Sequence, residues 1–71
     1  MELREIRTFL QIAQKQSFSK AAEALGYSQA AVTVQIKQLE EELGIHLFDR
    51  LGKKTVLTHH GEIFYHYAVT I

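Results

Sequence analysis

Gln29, Ala30, Thr33 and Val34 recur at steps of one, three and one, so on a helix they share one face. That face presents an amide, a hydroxyl and two small apolar groups side by side. A carboxamide offers a donor and an acceptor together and a hydroxyl offers either, which suits recognition of a patterned polar edge better than bond making. Ser19 and Ser28 add hydroxyls, and Lys37, Lys53 and Lys54 add ammonium groups, the chemistry that holds an anionic backbone. Paired lysines in a turn are also common as plain solvated loop, so Lys53 and Lys54 carry little specificity alone. His59, Glu62 and His66 fall at i, i+3 and i+7, a spacing from which imidazole and carboxylate converge on a metal ion. No sharper motif supports a metal, and surface or subunit-contact side chains are the favoured reading. There is no glycine-rich phosphate loop, no activated nucleophile and little room for a preorganised pocket, so no enzyme is expected.

The chain has 71 residues, enough for one small domain with a modest core. It lacks cysteine, so aliphatic and aromatic packing must supply the stability. Eight basic side chains balance eight acidic ones. The overall basic bias of many nucleic-acid binders is missing, but the signs are segregated along the chain: Lys53 and Lys54 share a loop while Glu40, Glu41 and Glu42 crowd a helix end. No stretch is long and apolar enough to span a bilayer, and Glu2, Arg4, Glu5 and Arg7 stand where a signal peptide would be apolar. A cytoplasmic protein without a membrane partner is the expectation.

Leu3, Ile6, Leu10 and Ala13 recur at three and four over residues 2–16, which predicts an amphipathic first helix with those residues inward. Ser17 or Ser19 caps a short second helix whose stripe is Ala21, Ala22 and Leu25, and Gly26 ends it. Ser28 then caps a third helix running to about Leu43, with Val32, Ile36, Leu39 and Leu43 inward and Gly44 as its stop. Leu47, Phe48, Val56 and Leu57 flank Leu51-Gly52-Lys53-Lys54, the pattern of two short strands and a basic turn over about 47–57. Arg50 sits in the first of them, with Glu40, Glu41, Glu42 and Asp49 all open as partners. Thr58 caps a fourth helix carrying Ile63, Phe64, Tyr67, Ala68 and Ile71, whose apolar pattern is still running at residue 71.

The fold class is therefore mostly α: a winged helix-turn-helix, with a three-helix core, a two-stranded wing and the start of a further helix. A short helix, a glycine-bearing turn and a longer helix project the start of the second helix into a DNA major groove. The residues around Val32 and Ile36 that escape the buried stripe are Gln29, Ala30, Thr33 and Val34, expected at base edges. Gln29 suits adenine, Thr33 donates or accepts, and Ala30 or Val34 suits a thymine methyl. Ser19, Ser28, Lys37, Lys53 and Lys54 are expected on the backbone, helped by the free amides of the helix starts. Residues 1–58 form the DNA-binding unit in this reading and 59–71 the beginning of a linker helix.

Phe18-Ser19-Lys20-Ala21-Ala22-Glu23-Ala24-Leu25, Ser28-Gln29, Gln35-Ile36 and Leu39-Glu40 resemble the N-terminal domain of LysR-type transcriptional regulators. Leu43-Gly44, Leu47-Phe48-Asp49-Arg50 and Leu57-Thr58 with Gly61 continue the resemblance over nearly the whole chain. It implies a bacterial transcription factor that binds an interrupted palindrome in double-stranded DNA. It implies a homodimer paired through the helix at about 58–71, with tetramers open to the full-length protein. It also implies no cofactor in this chain and a small-molecule effector bound by a C-terminal domain beyond it. Carried over residue by residue, Gln29 and Thr33 contact bases, Ser28 and Lys37 lie near phosphates, and Lys53 sits at the wing tip. Ala30 stands where the family usually has proline, and Val34 where it often has arginine, which removes a cation that grips guanine or phosphate. His60 replaces a usual small residue before Gly61, a change expected to loosen or re-aim the start of the fourth helix. The competing reading is a winged fold that has lost base reading and binds a protein partner.

Overall fold

Glu2 opens the first helix, its backbone N–H donating to the Glu5 carboxylate at 3.2 Å, and α1 follows over Leu3–Lys15 in a computed structural model that describes residues 1–71. The buried face of α1 is Ile6, Phe9 and Ile12, with Glu5 and Thr8 beside them. Only Ile6 of the expected stripe is fully buried: Leu10 and Ala13 are half-buried and Leu3 is exposed. Leu3, Ile6, Phe9, Leu10, Ile12 and Ala13 spread over about half the circumference, and the part of that arc bearing Phe9 buries the larger side chains, so packing rotates it inward.

Gln16 closes α1 in the left-handed region at φ 54°, and Ser17 then caps α2, Phe18–Leu25, by accepting the Lys20 N–H at 3.1 Å. Ala21 and Ala22 are its buried residues, small enough to let α1 and α3 approach closely. Gly26, at φ 76°, turns the chain back, a conformation that suits a residue without Cβ. Ser28 starts α3, Gln29–Leu43, by accepting the Ala31 N–H at 3.1 Å. Val32, Ile36 and Leu39 are buried as their spacing predicts, and Leu43 is half-buried.

Beyond Gly44 the chain makes an antiparallel hairpin of β1, Phe48–Leu51, and β2, Lys54–Leu57, with Phe48 opposite Leu57 and Leu51 opposite Lys54. Gly52 and Lys53 form its two-residue turn, the glycine first and at φ 63°, the arrangement of a type II′ hairpin. Thr58 caps α4, His59–Ala68, by accepting the Gly61 N–H at 3.0 Å while donating to the His46 carbonyl at 2.6 Å. That cap forms with His60 exposed beside it. α4 ends at Ala68, and Val69 and Ile71 beyond it are exposed.

The core lies where α1, α2 and α3 meet, with Leu47 and Ala68 closing it from the hairpin side. Phe9 is fully buried at its centre, its ring centroid 5.3 Å from Phe48 and 5.1 Å from Phe64. Phe18 meets Phe48 edge-on at 5.6 Å, so one aromatic cluster joins α1, α2, β1 and α4. Gly61 is buried against the Leu47 backbone, and a Cβ there would overlap the Leu47 carbonyl oxygen.

Candidate nucleic-acid interface

Burial of Val32, Ile36 and Leu39 fixes the rotation of α3 and so decides what its other side presents. Gln29, Ala30, Thr33 and Val34 all emerge exposed near the N-terminal end. Thr8, buried on α1, donates to the Gln35 side-chain carbonyl at 2.6 Å and pins that rotation with a polar bond. Val34 is 53 % exposed, an aliphatic side chain on the outward face of α3.

Next to this face lies a cleft of about 470 Å³ between the start of α2, the outer side of α3 and the hairpin. Three of the expected residues, Ser19, Thr33 and Lys37, line it from the helices, and Lys53 lines it from the wing tip. Arg50 joins them from β1. The sequence left its partner open among nearby carboxylates, but Arg50 forms no ion pair and is exposed in the cleft. Glu40, a carboxylate of the same cleft, accepts the Leu47 N–H at 2.8 Å and lies 4.0 Å from the His46 ring nitrogen. Its charge is thus committed to holding the start of the hairpin. Asp49 is the second carboxylate of the cleft, so three cations outweigh two anions there.

Ser17 and His46 also line the cleft and were not singled out from the sequence; Ser17 is legible as a cap, whereas His46 carries no local signal. The Ser19 hydroxyl lies 3.1 Å from that of Ser17, and the Ser28 hydroxyl, accepting from Ala31, keeps its own O–H free to donate. Lys54 is exposed on β2 outside the cleft. The hairpin is held at both ends: the Thr55 N–H donates to the Gln16 carbonyl at 3.1 Å, and the Thr58 N–H to the Leu47 carbonyl at 3.0 Å. On α4, Ile63 and Tyr67 form an exposed apolar pair one turn apart, while Phe64, Tyr65 and Ala68 pack inward. No group of three His, Cys, Asp or Glu side chains converges as a metal site, so His59, Glu62 and His66 are not brought together. No helix is long and apolar enough to cross a membrane.

A projecting polar and apolar helix face beside a cationic cleft can lay one surface into a groove and another onto phosphates; it offers no enclosed reaction site. Residues 3–62 match the family described as "Bacterial regulatory helix-turn-helix protein, lysR family". All 71 residues align at 46 % identity with the RuBisCO operon transcriptional regulator of Allochromatium vinosum, of which they cover 24 %. They align at 44 % with the HTH-type transcriptional regulator BenM of Acinetobacter baylyi, covering 23 % of it. The chain therefore spans about a quarter of the length of these relatives. Among solved structures, the BenM DNA-binding domain in complex with benA site 1 DNA superposes with a TM-score of 0.93 at 44 % identity, over 99 % of this chain and 79 % of that one. The CbnR DNA-binding domain in its DNA complex gives 0.93 at 33 % identity, over 99 % and 80 %.

Proposed function

The chain belongs to the lysR family of bacterial regulatory helix-turn-helix proteins, and from that premise we propose that it is the sequence-specific DNA-binding domain of a transcription regulator. The observation that carries this reading is the uncovered N-terminal half of α3, standing beside a cleft that gathers Lys37, Arg50 and Lys53. Gln29, Ala30, Thr33 and Val34 enter the major groove and meet base edges. Ser19, Ser28, Lys37 and Lys53 hold the phosphate backbone together with Arg50, and Lys54 contributes from the outer side of the wing. Residues 1–58 form the reading unit.

The exposed pair Ile63 and Tyr67 supports a second part of the proposal: α4 pairs two copies into a homodimer that meets two half-sites about one helical turn apart, roughly 34 Å. The rest of the regulator, including the domain that would take a small-molecule effector, lies outside these residues, and the protein works in the cytoplasm, where the DNA is.

Binding to random duplex DNA over a salt series tests the reading. Affinity is expected to fall as salt rises, with log K losing about 0.9 per decade of salt for each phosphate neutralised. No detectable binding at low salt by protein confirmed to be dimeric would overturn it and favour a protein-interaction module.

A further inference from the structure

The side of α3 that faces away from the core carries no cation before Lys37, and it includes an exposed aliphatic side chain. Val34 is 53 % exposed, and Ala30, one turn earlier, is exposed as well. Their Cβ atoms, at i and i+4, lie about 5–6 Å apart, between the rise of one base step and that of two at about 3.4 Å each, so the pair reaches neighbouring bases. Gln29 and Thr33 flank this strip, and the cationic cleft begins at Thr33, so a duplex seated on the cleft brings the strip against base edges. Building on the DNA-binding reading, we infer that the Ala30–Val34 strip reads the C5-methyl groups of pyrimidines, accepting thymine or 5-methylcytosine and rejecting their unmethylated counterparts.

The chemistry follows from what valine lacks. A guanine beneath Val34 would lose water from its O6 and N7 acceptors and gain no donor in return, so that step is disfavoured. A pyrimidine methyl group in the same place removes apolar surface from water on both partners. Valine in a helix is held in essentially one χ1 rotamer, so contact costs little further freedom. Because the selecting group is the methyl itself, thymine and 5-methylcytosine are equivalent in this contact although they differ in their hydrogen-bonding edges. The half-site is thereby tied to the methylation state of its cytosines.

Duplexes enriched by the protein from a random library supply the probe. In the tightest of them, each thymine is replaced in turn by deoxyuridine, and cytosine and 5-methylcytosine are compared at the same positions. At one or two steps per half-site, loss of the methyl group is expected to weaken binding about fourfold, by a similar factor for the thymine–uracil and the 5-methylcytosine–cytosine pairs. Val34→Ala, at a position outside the core, should keep the melting temperature, weaken binding to the methylated site by about the same fourfold factor and erase both ratios at one of those steps. Val34→Arg should move the enriched base there toward guanine. Methyl removal that changes affinity less than about twofold everywhere, or ratios that persist in Val34→Ala, would overturn the inference while leaving DNA binding intact. Failure to enrich any duplex, with no binding at low salt, would remove the DNA-binding reading and this inference together.

Discussion

The N-terminal face of α3 and the cleft beside it are neighbours in space yet differ in kind: the face comes from about one and a half turns of one helix, the cleft from α2, α3 and the hairpin. The face is uncharged, with Gln29, Ala30, Thr33 and Val34 standing free of the core, whereas the cleft gathers Lys37, Arg50 and Lys53 from α3, β1 and the wing turn. Hydrogen bonding and apolar contact discriminate between bases; cations attract every duplex alike. The separation explains how a chain with no net charge serves an anionic partner: three of its eight cationic side chains are brought together in the cleft by folding, while Glu41 and Glu42 sit at the far end of α3 and Glu40 accepts from the Leu47 amide.

Removing the shared frame should abolish the difference between the two regions altogether. Phe9→Ala empties the centre of the aromatic cluster and is expected to cost about 3–5 kcal/mol in a denaturant titration, with both regions lost as the protein unfolds. Gly61→Ala pushes α4 away from the Leu47 backbone and should cost about 1–3 kcal/mol. It should harm the cleft more than the reading face, seen as weaker binding to all sequences with base preference retained. Gln29→Ala sharpens the comparison from the other side: a loss of about 1–3 kcal/mol confined to one base position, read from competition among single-base variants. Equal loss on every sequence would show that Gln29 belongs with the cleft. Lys53→Ala and Arg50→Ala should each lower affinity uniformly and flatten the salt slope by about 1. The smallest effect expected is a gain: Gln16→Gly relieves a left-handed side chain worth about 1–2 kcal/mol, offset by the added freedom of glycine in the unfolded chain, about 0.5–1 kcal/mol. Thermal melting should rise slightly and binding should not change.

The elements were legible wherever one local signal dominates. Ser28 and Gly44 bracket α3, Thr58 opens α4, and Leu51-Gly52-Lys53-Lys54 forms the hairpin turn, because caps and turns are decided within a few residues. The exposed set on α3 followed directly from the spacing of Val32, Ile36 and Leu39. The buried face of α1 did not, because Leu3, Ile6, Phe9, Leu10, Ile12 and Ala13 offer several overlapping stripes and only contact with Phe48 and Phe64 selects one. Burial of Thr8 depends on Gln35, 27 residues away. The unpaired state of Arg50 was equally out of reach, since it depends on how the hairpin sits against α3, where Glu40 accepts from the Leu47 backbone.

That bond has a mechanical consequence. Glu40 ties the end of α3 to the start of the hairpin, the Gln16 carbonyl holds the hairpin at Thr55, and Thr58 anchors its return. The wing is thus the fixed jaw of a caliper whose other jaw is α3. In the proposed complex, a gauge held at three points leaves accommodation to the object measured, and flexible base steps between the jaws should lower the work of fitting a stiff or wide groove.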